Sequence, residues 1–121
     1  MSDSIAQIES NLTPQEMAIV NYHRNTIRTG QVGRDPMGRP VTVYSNTIQV
    51  PTGPYQGQYV TVPGYFNGQM TDDENALWNQ WGTQVNKGIW PLYKNPKVAD
   101  DRAKYIHGIM DQEMIPQFSG R

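Results

Sequence analysis

From Leu12 to Arg28 the chain reads as a helix whose start is written into it. Thr13-Pro14-Gln15-Glu16 is a capping box: the Thr13 hydroxyl accepts from the Glu16 amide, and the Glu16 carboxylate reaches back to the Thr13 amide. Pro14, at the first helical position, has no hydrogen bond to lose there. Met17, Val20 and Ile27 fall on one stripe, and Gly30 stands beyond the end. Asp35-Pro36-Met37-Gly38 carries the residues of a type I turn, with Asp first, Pro second and Gly fourth. The apolar period then shortens to two. Val41 to Val50 alternates and is rich in β-branched residues, with Tyr44, Ile48 and Val50 on one face. A Pro51-Thr52-Gly53-Pro54 loop leads to a second strand, Gln58 to Val62, which predicts a hairpin. Pro63-Gly64 ends that strand, and Asn67-Gly68 marks another tight turn.

Helical spacing returns after Thr71, read as an N-cap, with Asp72, Asp73 and Glu74 complementing the positive end of the helix dipole. Leu77, Trp78, Trp81 and Val85 form its apolar stripe, and Lys87-Gly88 its stop. Asn95-Pro96 opens a last helix with Ala99, Ala103, Ile106 and Met110 along one face, widened by Val98, Tyr105 and Ile109, and Pro116 closes it. This order predicts an α+β fold, a small antiparallel β-hairpin or sheet covered by about three α-helices. Residues 1–11 read as a flexible lead to a single α+β domain over 12–121, with no internal repeat.

Composition sharpens the picture in two places. Apolar residues make up 36% of the 121, and the aromatic share is dominated by seven Tyr and three Trp against two Phe. A core this poor in Leu draws on aromatics that keep one polar handle. Charge is informative by placement: the net value of −1 exerts no pull on nucleic acid or acidic membranes, yet the thirty-two residues from Pro40 to Thr71 contain no Asp, Glu, Lys or Arg. Such a segment is either a sheet covered by helices or a surface that packs on other copies of the chain. Thr61 and Gln58 are the positions where a lysine is expected to block such packing. The chain has no cysteine, and its first residues are polar, with neither a secretion signal nor an apolar run long enough to span a bilayer.

Catalytic chemistry finds little purchase. His107 has Asp111 one turn on, and His23 lies next to Tyr22, but no Ser or Thr stands at a strand-to-helix elbow. No ligand spacing supports a metal site, and no glycine pattern matches a phosphate loop. We therefore expect no catalytic residues, no metal and no cofactor. The candidate binding residues are Tyr55, Tyr59, Tyr65, Phe66, Trp90 and Tyr93, in or beside loops. With Arg28, Arg34 and Arg39 they form either an interface or a clamp for a nucleotide; the simpler reading has the aromatics filling the interior.

A longer pattern runs through Leu12-Thr13-Pro14 with Glu16, Tyr22-His23, Gly38 with Pro40 and Thr42, Val60 with Val62-Pro63, and Asn67-Gly68. It continues through Pro91 with Tyr93, then Ala99, Arg102, His107 and Met110-Asp111. In order and spacing it resembles a short module of bacteriophage-encoded proteins, met as small free-standing proteins and as a segment of very large virion-associated phage polypeptides. The chain departs from it at Tyr65-Phe66 and in the loop around Thr52 to Gly57. The resemblance implies a phage structural or virion-associated protein that assembles with itself or docks to other virion proteins. The alternative it leaves open is a phage binding protein that sequesters a host nucleotide signal or inhibits a host defence protein. Either would act in the virion or the host cytoplasm, with no membrane partner.

Overall fold

A computed structural model of the chain describes residues 11–118, so most of the lead assigned to 1–11 lies outside the described residues. Helix α1 (Pro14–Arg28) starts as its sequence dictates: Thr13 Oγ1 accepts from the Glu16 amide at 3.1 Å, and Glu16 Oε1 accepts from the Thr13 amide at 3.0 Å. The stripe differs from the one expected. Glu16, Ile19, Val20, His23 and Thr26 are buried, while Met17 and Ile27 are only partly so. A count of apolar positions cannot find a buried face on which three of five residues are polar.

After α1, β1 (Gly33–Arg34) and β2 (Pro40–Val41) flank the Asp35–Gly38 turn, whose Asp35 carboxylate accepts from the Met37 and Arg39 amides, each at 2.9 Å. The single strand expected over 41–50 is broken, because Tyr44 takes a left-handed backbone with φ +52°. That turn aims the Val43 carbonyl at the Gly64 and Tyr65 amides, 3.0 and 2.9 Å away. It also leaves Tyr44 exposed and buries Val43, reversing the face assigned to Tyr44.

The strand resumes as β3 (Ser45–Gln49) and pairs antiparallel with β4 (Tyr59–Pro63), with Thr47 opposite Thr61. Next come β5 (Tyr65–Phe66) and β6 (Gln69–Met70), a tight hairpin around Asn67 and Gly68, both with positive φ as a two-residue hairpin turn requires. Helix α2 (Glu74–Asn86) begins two residues later than expected: Asp73 is its N-cap, accepting from the Ala76 amide, while the Thr71 hydroxyl caps the Asp73 amide instead. A two-residue strand, β7 (Leu92–Tyr93), then pairs with the other edge of β4, giving the order β3-β4-β7. It is too short to show a period in the sequence.

Helix α3 (Pro96–Phe118) opens where Asn95-Pro96 placed it but runs through Pro116. A proline two residues from a helix end forfeits one hydrogen bond, too little to stop it. Among the described residues the architecture is thus three helices with small antiparallel sheets, an α+β fold. Strand β4 is its axis: four of its five residues are buried, and it contacts all three helices. The core joins Ile19 and Val20 of α1, Val60 and Val62 of β4, Leu77, Trp81 and Val85 of α2, and Ile106, Ile109 and Met110 of α3.

Candidate functional site

Most of the candidate aromatics are engaged in the interior. Trp81 stacks edge-on against Trp90, Tyr22 and Phe66, with ring centroids 5.2, 5.8 and 5.7 Å apart. Both buried indoles have acceptors, Trp81 Nε1 donating to the Pro63 carbonyl at 2.7 Å and Trp90 Nε1 to Gln84 Oε1 at 2.9 Å. Tyr65 is buried with its hydroxyl on the Gln31 carbonyl at 2.6 Å, and its own carbonyl accepts from Tyr22. Tyr93 donates to Glu16 Oε2 at 2.6 Å. Tyr59, half-buried on β4, stands between Gln49 and Tyr93 in the sheet.

Tyr55, Trp90 and Tyr93 do converge. With Gln15, Pro91 and Leu92 they line a cleft of about 270 Å³. The arginines do not join them. Arg39 pairs with Asp35 at 2.8 Å, Arg34 donates to the Gly38 carbonyl at 3.2 Å, and Arg28 bonds Asn25, and none of the three lines the cleft. A clamp needs flat rings and cations in one place, and this fold sets them apart.

Beside this cleft lies a polar knot. Glu16 is 1% exposed, yet its carboxylate receives Arg102 Nη2 at 2.8 Å, Arg102 Nε at 2.9 Å, the Tyr93 hydroxyl and the Thr13 amide. Burial alone would raise its pKa. The bonds from Arg102, Tyr93 and the Thr13 backbone prevail and hold it at about 2. Burial and the bond to Glu16 push the Tyr93 phenol upward in turn. Every member has a partner, so the knot fastens α1, β7 and α3 together.

The two histidines, on different helices, meet in a second cleft of about 130 Å³. His23 is wholly buried, with Nδ1 2.6 Å from the Thr42 hydroxyl. Its Nε2 makes no hydrogen bond among the described residues, although Glu113 Oε1 lies 3.4 Å away. Glu113 is held by Arg24, through Nη2 at 2.7 Å and Nε at 3.2 Å. A carboxylate only accepts, so the Nε2–H tautomer suits His23, with Nδ1 accepting from Thr42. Burial lowers the His23 pKa; the Glu113 charge works against that fall, and Arg24 adds to it. His107 and Asp111 line the same cleft from α3, both exposed and joined by no hydrogen bond or ion pair. Among the described residues no three histidine or acidic side chains gather to hold a metal ion. Sequence reasoning singled out both histidines but not the pairing of His23 with Thr42 and Glu113, since only the tertiary packing brings them together.

The charge-free segment divides. Strand β4 is covered, and Thr61 is 1% exposed, so a lysine there would break the core and not merely block a surface. Strand β3 is an edge. The Thr61 amide bonds the Pro91 carbonyl across to β7, and the Val50 amide bonds the Gln58 carbonyl. By alternation, the backbone groups of Ser45, Thr47 and Gln49 point away from β4. Thr47 and Gln49 are exposed, with no charge among the five residues of the strand. No protein family, curated protein or solved structure matches the chain. Among the described residues no helix is long and apolar enough to cross a membrane.

Proposed function

We propose that the chain is a non-catalytic structural or virion-associated protein of a bacteriophage, acting by assembly with copies of itself and by docking to other virion proteins. The phage setting rests on the sequence resemblance, and the mode of action on the β3 edge. An antiparallel edge is self-complementary: two copies meeting about Thr47 place Ser45 of each opposite Gln49 of the other, so the outward amides and carbonyls exchange bonds. Edges that avoid such pairing usually carry lysine, proline or a bulge, and Ser45–Gln49 carries no lysine or proline and pairs residue for residue with β4.

A second reading, a phage protein that sequesters a nucleotide signal or blocks a host defence protein, draws support from the cleft at Tyr55, Trp90 and Tyr93. Among the described residues its lining includes no lysine or arginine to grip a phosphate, which favours the first reading. Mass spectrometry of purified particles separates the two. A structural protein is present at a fixed copy number, whereas a sequestering protein is made early and is absent from particles.

A further inference from the structure

We propose that His23, Thr42 and Glu113 form an acid-sensitive clasp that holds the C-terminal half of α3 against α1 and lets it open when His23 takes up a proton. The geometry carries this inference. His23 is wholly buried, and its Nε2 has no hydrogen bond among the described residues. Its ring touches two elements at once, Thr42 in the β2–β3 connection through Nδ1 and Glu113 of α3 beyond Nε2. The neutral ring accepts the Thr42 hydroxyl proton at Nδ1. Protonation turns Nδ1 into a donor, so the Thr42 hydroxyl must rotate to accept, and a full charge then sits where water has no access.

The neighbouring charges do not rescue that cation. From α3, Glu113 and Asp111 favour it, but Glu113 is already engaged by Arg24 of α1, whose positive charge opposes it. His107, also on α3, lines the same cleft. The β2–β3 connection contributes only the Tyr44 phenol and neutral side chains. The cheapest relief is to hydrate the ring. Because α3 forms one wall of the cleft, separating it at Met110 and Glu113 opens His23 to water. The fold favours this opening over global unfolding: the Glu16–Arg102–Tyr93 knot anchors the N-terminal half of α3, and its Glu16–Arg102 pair remains ionised at pH 5.

The sign follows from linkage. The closed state holds the His23 proton less readily than an exposed imidazole of pKa 6.5, so opening takes up a proton as pH falls below 6.5. The open population should then rise by up to about tenfold per pH unit until the closed-state pKa is passed. Amide hydrogen exchange of the full chain between pH 7.5 and 5, corrected for intrinsic rates, tests this. The clasp predicts that amides from Tyr105 to Glu113 lose protection below pH 6.5 while those of β4 keep theirs, and that H23Q removes the pH dependence. Carbon-detected titration of His23 in the unmodified chain gives a second readout that stands even if H23Q does not fold, with a midpoint below 6.5 expected. Protection that is independent of pH, loss spread equally over β4, or a His23 midpoint at or above 6.5 would each overturn the proposal.

Discussion

A carboxylate without access to water is costly unless its oxygens are occupied, and Glu16 shows how the sequence arranges this. Its position three residues after Thr13 makes it a capping residue, and its place on the inner face of α1 brings it to Tyr93 and Arg102. Its pKa falls from 4.5 to about 2, so the stabilisation is complete above pH 4.5 and is lost as pH drops from there toward 2. That contribution amounts to about 3 kcal/mol at neutral pH. Arg102→Ala leaves the carboxylate buried without its cation and should cost about 3–5 kcal/mol at pH 7. Chemical denaturation at pH 7 and again at pH 3 checks both statements, since the penalty should shrink at the lower pH. Thr13→Ala removes the other half of the box and should cost about 1 kcal/mol; equal denaturant midpoints for the two proteins would refute it.

At the scale of elements, Gly64 sets a close approach. A Cβ there would lie 2.6 Å from both the Tyr44 and Thr71 carbonyl oxygens, which belong to backbone and cannot swing away. Gly64→Ala should therefore destabilise by about 1–3 kcal/mol, and thermal melting should show it. What the sequence revealed of these elements followed from local physics. The caps of α1, the Asp35–Gly38 turn, the Asn67-Gly68 turn and the Lys87-Gly88 stop depend on neighbours within a few residues, and each was legible. The break at Tyr44 was not, because a β-favouring run is turned aside there by the distant Gly64 and Tyr65 amides. Nor was β7, whose existence depends on the vacant edge of β4. The His23 cleft lay further from reach, since Thr42, His107 and Glu113 share no local pattern with it.

For the molecule as a whole, the scarcity of Leu is met by the aromatic cluster around Trp81, which is 7% exposed and touches helices and strands alike. Trp81→Ala should cost about 3–5 kcal/mol, close to the full stability of a domain this size, and calorimetry would register it as loss of the folded transition. Covering β4 so completely leaves β3 as the outlet of the charge-free segment, and self-association through it should be nearly insensitive to salt. The most direct test of the account is sedimentation equilibrium of the chain and of Thr47→Lys over a wide concentration range. Thr47 is exposed on the β3 edge and its hydroxyl meets that of buried Thr61 at 2.8 Å, so lysine there removes that one contact while setting two like charges face to face about the pairing axis. The account predicts an oligomer for the chain and a folded monomer for the variant. A chain that stays monomeric at high concentration, or a variant that associates as tightly as its parent, would contradict it.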